Sequence, residues 1–277
     1  MGGPAESSGR LGGMIRIALI VLVIAGVAQA TPATRDARTS SAIDENDDSR
    51  TTLTLCFEDT DVPPWRWRDG TGHNFRLLDA VAEHVGVRFR YVAKTWRGCQ
   101  SSLARGKVDG AFALSYTLER RALGLYSPAG GPDPDLRMFV DGYVLVVRRG
   151  SRVSVDDGRI LGLRQPVGSQ PGYSIVSDLR RQGYVVDEAA PDTTALLLRL
   201  AAGHIDGAAI GMSVAKHLEA TGNPAMAGLE VIREPLVRKD YFLMLSNPFF
   251  ERDPETAKAI WQAVSELRDR VPENAAR

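Results

Sequence analysis

Apolar positions along this chain alternate between two spacings, and the alternation recurs from residue 53 onward. Residues 53–57 are a short apolar run of strand character. Residues 58–67 interrupt it with Glu58, Asp59, Asp61 and Pro63-Pro64, which read as a loop. Leu77, Leu78, Val81, Ala82 and Val85 then recur at helical spacing and predict a helix over residues 75–85, capped by Asn74 and stopped by Gly86. Residues 87–92 alternate as a strand, residues 99–105 predict a short helix, and residues 108–114 predict a buried strand. Thr117 is placed to cap a further helix. Residues 143–147 are strongly strand-like and run into Arg148-Arg149-Gly150, where the chain is expected to cross from one half of the fold to the other.

The second half repeats this plan. Residues 160–163 read as its first strand, and Gly168-Ser169-Gln170-Pro171-Gly172 as a loop feeding a helix over residues 173–182. Residues 184–186 predict a strand, Asp192 caps a leucine-rich helix running to residue 202, and residues 205–210 predict another strand. Residues 216–221 read as helical until Gly222-Asn223-Pro224 ends them, and residues 241–245 read as a strand. Asp253-Pro254-Glu255 opens a last helix with Ala257, Ile260, Trp261, Val264 and Leu267 on one stripe. Strands alternating with helices call for mainly parallel sheets covered on both faces, an α/β fold.

One phrase occurs in both halves. Leu103-Ala-Arg-Gly-Lys-Val-Asp-Gly-Ala111 returns as Leu200-Ala-Ala-Gly-His-Ile-Asp-Gly-Ala208, shifted by 97 residues. Gly106 and Gly203 stand where a helix needs a left-handed cap, which glycine adopts without a Cβ penalty. The repetition predicts two α/β lobes of like construction with a ligand cleft between them.

Composition narrows the class. The 277 residues are 44% hydrophobic and 25% charged, ordinary for a globular protein of one large or two modest domains. Lys+Arg and Asp+Glu are both 34, so there is no basic excess to suggest a nucleic-acid partner. Arg10 and Arg16 precede an apolar run over residues 17–27 that ends in Ala28-Gln29-Ala30. This is the pattern of a secretory signal peptide over residues 1–30, cleaved after Ala30, with Met14 as an alternative start. The competing reading, an uncleaved anchor, meets a run shorter than the ~20 residues a spanning helix needs. Residues 31–50 are polar and acidic and read as a disordered lead-in. Export places Cys56 and Cys99 in an oxidising space. In a lobe of strand order 2-1-3 the second helix crosses strand one, which brings both sulfurs to one end of the lobe. A Cys56–Cys99 disulfide is the expectation, with two buried thiols the alternative.

Candidate chemistry clusters after the strands. Arg120 follows Thr117, where the planar fork of a guanidinium suits a carboxylate. Trp65, Trp67 and Trp96 are candidate cleft walls. Glu58 and Asp59 directly follow the first strand and either accept from a ligand ammonium or cap the next turn. The amides and hydroxyl of Gly168-Ser169-Gln170 are a weak candidate anion site. His73, His84, His204 and His217 have no metal-ligand spacing, and neither cysteine has a catalytic histidine signature. No metal or cofactor is implied.

Trp96, Gly106-Lys-Val-Asp-Gly110, Ser115-Tyr-Thr-Leu-Glu-Arg120 and Lys239-Asp-Tyr-Phe-Leu-Met244 together carry a likeness. From about residue 51 to 270 the chain resembles the family 3 extracellular solute-binding proteins, periplasmic receptors for polar amino acids in ABC importers. The resemblance implies a type II periplasmic-binding-protein fold, with lobe one over residues 51–141 and 238–277, lobe two over 142–237, and a hinge at the two crossings. It implies a monomer that takes a small carboxylate-bearing solute to an inner-membrane ABC permease. Arg120 would hold the carboxylate, helped by Ser115 and the backbone near Ala113. Trp96 would stack on the ligand, Asp59 would read its side chain, and Ser169 and Gln170 would approach from lobe two. The family commonly places an aspartate for the ligand's amino group five residues after the second repeat's Asp; this chain has Gly211 there. Either Glu58 or Asp59 replaces that acid, or the ligand lacks an ammonium. Two other readings use the same scaffold: a cyclohexadienyl-dehydratase-like enzyme with Glu58 as proton donor, and a periplasmic sensor or accessory subunit.

Overall fold

In the computed structural model, which describes residues 50–271, the first half opens with strand β1 (Thr52–Glu58). Helix α1 (His73–Val85), β2 (Arg88–Lys94), α2 (Trp96–Ala104) and β3 (Gly110–Ser115) follow. β1 pairs in parallel with both β2 and β3, the expected 2-1-3 order. The long β4 (Phe139–Arg148) leads into the second half. There β5 (Ser154–Asp156) and β6 (Arg159–Leu161) make a separate hairpin. Then come β7 (Val167–Gly168), α3 (Ser174–Arg181), β8 (Val186–Asp187), α4 (Thr193–Ala201), β9 (Gly207–Gly211) and α5 (Met212–Ala220). β10 (Leu229–Leu245) returns to the first half, and α6 (Asn247–Arg252) and α7 (Pro254–Leu267) close the chain.

The two halves share a plan. β7 lies between β8 and β9 in parallel, as β1 lies between β2 and β3, and each trio gains an antiparallel fourth strand, β10 on β3 and β4 on β9. Because β4 and β10 also pair with each other from Arg148↔Leu229 to Phe139↔Tyr241, the two expected sheets join into one curled, mixed ladder of eight strands. Its core is in four parts, one on each face of each half. Along β1, Leu53, Leu55 and Phe57 pack under α1 and α7, while Cys56 faces α2. Along β4, Tyr143, Leu145 and Val147 join one core of the second half, and Val144 and Val146 the other. The crossing strands change cores at the same level: Phe139 and Phe242 belong to the first half, Tyr143 and Leu236 to the second.

The repeated phrase has one physical cause. Gly106 (φ 61°) and Gly203 (φ 79°) are left-handed, and each closes a paired-carbonyl helix end. Gly106 N–H donates to Leu103 O and Lys107 N–H to Ser102 O; Gly203 N–H donates to Leu200 O and His204 N–H to Arg199 O. Asp109 then accepts Thr54 N–H, and Asp206 accepts Arg164 and Gln165 N–H, tying each corner to the start of a neighbouring segment. Cys56 and Cys99 are disulfide-bonded, with 5.7 Å between their Cα atoms.

Several expectations are corrected. Asn74 does not cap α1: the helix starts two residues earlier than expected, with Gly72 at its N-cap, and Asn74 is fully buried with neither side-chain polar atom partnered among the described residues. Thr95 caps α2, so Trp96 lies in its first turn. Thr117 caps only one turn of 3-10 helix, Glu119–Ala122, too short for a strong dipole. The first parallel strand of the second half is β7; residues 160–161 belong to the hairpin. Arg148-Arg149-Gly150 is a turn at the end of β4, tied to Gly228 and Glu230, and the crossing lies some residues earlier in the same strand. The expected signal peptide and residues 31–49 lie outside the described residues. Among those described, no helix is long and apolar enough to cross a membrane.

Candidate functional site

The ends of β1 and β3, the residue 58–67 loop and the middle of the crossing strands meet the start of α3 and α5. They line a cavity with about 620 Å³ of empty space, part of it open to solvent. β1 delivers Glu58 to its wall. Glu58 is buried and ion-paired: Arg66 Nη2 lies 2.5 Å from its Oε2, and Tyr173 O–H donates to the same oxygen at 2.9 Å. Asp59, the next residue, lies just beyond the end of β1 and outside this lining. It is exposed and lines an adjoining open groove with Asp61, Trp67 and Arg97.

Ala113 shapes the opposite wall. It is a non-glycine residue at φ 62°, and the β3–β10 register slips there between Phe242↔Leu114 and Leu243↔Phe112. This is a bulge, which turns Leu114 to the face opposite Phe112 and bends the strand at the cavity. Ser115 follows, its Oγ 2.7 Å from Ser174 Oγ across the cleft.

Arg120 is 5% exposed. Its Nη1 donates to Ser115 O at 2.8 Å and its Nη2 to Gly172 O at 2.9 Å, one partner from each half. The guanidinium carbon lies 5.5 Å from the ring centroid of Trp96, a cation–π contact. Among the described residues no carboxylate lies within ion-pair distance of it. Burying a cation without a counter-charge is costly, and two carbonyls, the Ser115 hydroxyl at 3.4 Å and an aromatic face partly offset that cost.

From the second half come Gln170, Tyr173, Thr193, Gly211 and Val214. Gln170 Oε1 accepts Thr193 O–H at 3.1 Å, while its buried Nε2 has no partner among the described residues. Ser169 points away: its hydroxyl donates to Ala209 O at 3.2 Å beneath the sheet, and it is not part of the lining. Thus Arg120, Ser115, Trp96, Ala113, Glu58, Trp65 and Gln170 come together in one cavity, and Asp59 and Ser169 do not. Trp65 is both wall and core, stacked on Phe139 at 4.0 Å between centroids.

Phe139, Asp141 and Tyr143, alternate residues of β4, and Tyr241 of β10 complete the lining. None was singled out from sequence. Asp141 was detectable as the one charged residue in the apolar run before Arg148. It is 7% exposed. Its carboxylate accepts Trp65 Nε1–H at 3.0 Å and Ser213 N–H at 3.3 Å. Burial raises its pKa, and the hydrogen bonds from Trp65, Gly142 and Ser213 only partly offset this. Burial likewise raises the phenols of Tyr143, Tyr173 and Tyr241, which stay protonated donors at neutral pH. No group of three or more His, Cys, Asp or Glu among the described residues is arranged to hold a metal.

Solved structures of similar shape include the GluR0 ligand-binding core from Nostoc punctiforme in complex with L-glutamate. It has 21% identity and TM-score 0.62, over 79% of this chain and 93% of that one. Holo ArgBP from T. maritima matches at 22% identity and TM-score 0.63, over 80% and 93%. A histidine kinase sensor domain with similarity to periplasmic binding proteins matches at 21% and 0.62, over 80% and 92%. At these identities the likeness shows the fold. No curated protein matches the sequence. A sequence model of one family, however, spans residues 53–270, from the first strand through the last helix. The chain therefore belongs to the bacterial extracellular solute-binding proteins, family 3.

Proposed function

We propose that this protein is exported through the residue 1–30 segment and captures a small carboxylate-bearing solute in the periplasm for an inner-membrane ABC importer. Lobe one is residues 51–141 with 238–277, lobe two is 142–237, and closure turns on the crossing strands. Arg120 carries the reading: a buried guanidinium with no acidic partner among the described residues, facing a cavity, is the complement of a carboxylate. Ser115 and the unpartnered Gln170 Nε2 supply further polar contacts from opposite sides. Glu58, the proton donor of the dehydratase reading, is engaged by Arg66 and Tyr173, which favours capture over turnover.

A thermal-shift screen of amino acids, dicarboxylates and opines, each beside its amide or decarboxylated counterpart, tests the proposal. Only a ligand that prefers the folded form raises the melting temperature. The acid of a pair raises it and the counterpart does not; equal shifts within every pair refute a carboxylate site. The fold it shares with a histidine kinase sensor domain favours a sensor role as the second reading. Pull-down of an importer permease separates the two.

A further inference from the structure

The cavity holds two pairs of opposite charges, and the pairs differ. Glu58 and Arg66 neutralise each other at 2.5 Å. Arg120 and Asp141 are each buried, and among the described residues neither has an oppositely charged side chain within ion-pair distance. Both act on the same two phenols: beyond the dominant effect of burial, Asp141 pushes the pKa of Tyr143 and Tyr241 up and Arg120 pulls it down. An anion site and a cation site thus flank one small space.

Asp141 also occupies a particular position. A Cβ built on Gly211 would lie 3.9 Å from Asp141 Oδ2, and its nearest neighbour would be Val214 Cγ2 at 3.5 Å. Gly211 is the N-cap residue of α5, has ordinary dihedral angles and offers no side-chain cap. The Asp141 carboxylate, arriving from β4, accepts Ser213 N–H in that first turn and lies beside the point from which an acid side chain at position 211 would extend. The remaining walls are uncharged and largely aromatic: Trp65, Trp96, Phe139, Tyr143, Tyr173 and Tyr241.

Resting on the carboxylate reading of Arg120, we propose that Asp141 is the residue that recognises a cationic group on the ligand. Together with Arg120 it selects a solute of no net charge: one carboxylate, one ammonium, and an apolar or aromatic remainder. A third charge finds no free partner, since Glu58 and Arg66 already hold each other. Solutes with acidic or basic side chains are therefore disfavoured, and so are acids that lack the ammonium.

Calorimetric titration separates the parts. The probes are L-leucine, L-phenylalanine and L-tryptophan; their deaminated counterparts 4-methylpentanoate, 3-phenylpropanoate and indole-3-propanoate; and L-arginine and L-aspartate. At least one of the three neutral amino acids binds about tenfold or more tighter than its deaminated counterpart and than either charged amino acid. Asp141→Asn, which keeps an acceptor for Ser213, removes that preference by weakening the parent amino acid and not its deaminated counterpart. Asp141→Ala combined with Gly211→Asp vacates that space, sets an acid beside it and restores the preference. If deaminated acids bind as well as their parents, or the preference survives in Asp141→Asn, or the folded double variant shows no regained preference, the role of Asp141 is overturned while the carboxylate site stands. If neither set binds, this proposal falls while the carboxylate site still rests on the thermal-shift screen; if both bind undiminished to Arg120→Ala, the carboxylate reading falls and takes this proposal with it.

Discussion

Among the residues facing the cavity, Ala113 and Asp141 are held in states that ordinary packing does not favour. Ala113 sits at φ 62°, where a Cβ crowds the following carbonyl. Alanine tolerates this better than a branched residue. Ala113→Val is expected to lower stability by about 1–3 kcal/mol in urea unfolding; an unchanged midpoint would contradict the bulge geometry. Asp141 is the second, its pKa raised first by burial. A carboxyl whose folded pKa exceeds its unfolded value contributes most below the unfolded pKa, and the contribution is lost as pH rises through the folded pKa. Tyr143 and Tyr241, its titratable neighbours, remain protonated throughout. Ligand-free Asp141→Asn should therefore melt above the parent at pH 7, with the gap narrowing as pH falls toward the ordinary aspartate range. A gap that widens toward acid would contradict the burial argument.

Among the elements, the first lobe-like trio is the better secured, because α2 is stapled to β1 through Cys56 and Cys99 across 43 residues of sequence. By loop-closure entropy that link contributes about 4 kcal/mol. Replacing both cysteines by alanine should lower unfolding stability by roughly that amount and leave ligand affinity near the parent value below the melting point. An unchanged denaturation midpoint would count against it. Elements announced by local chemistry were legible in the sequence. The Gly106 and Gly203 helix ends and the Asp192 and Asp253 caps each follow from residues within a few positions. Elements set by distant partners were not. β10 spans 17 residues through Arg233-Glu234-Pro235 and Arg238-Lys239-Asp240, which read locally as loop; pairing with β4 overrides that preference. β7 is a two-residue ladder too short to leave a pattern, so the hairpin at residues 160–161 looked the better strand.

For the molecule as a whole, the crossing strands explain both the two cores in each half and the placement of the site. The halves touch through polar contacts around the cavity: Arg120 to Gly172, Ser115 to Ser174, Tyr173 to Glu58, and Arg97 to Glu188 at 2.8 Å. Such contacts are individually modest and reversible, as a cleft that opens and closes requires. Glu58, Ala113, Ser115 and Arg120 could be read from the sequence as candidates for the cavity because they lie at or just beyond strand ends, where ligands bind in parallel sheets. Asp141 was missed because that residue lies inside a strand, at the level where one half gives way to the other, and only the folded register turns it toward Gly211. The central claim is that one buried guanidinium grips the solute's acid group. The direct measurement is calorimetric titration of a carboxylate found by the thermal-shift screen into the parent protein and into Arg120→Ala, with circular dichroism to verify the fold. The account predicts a loss of about a hundredfold or more with an unchanged spectrum. Parent-like affinity in a folded Arg120→Ala variant would contradict it.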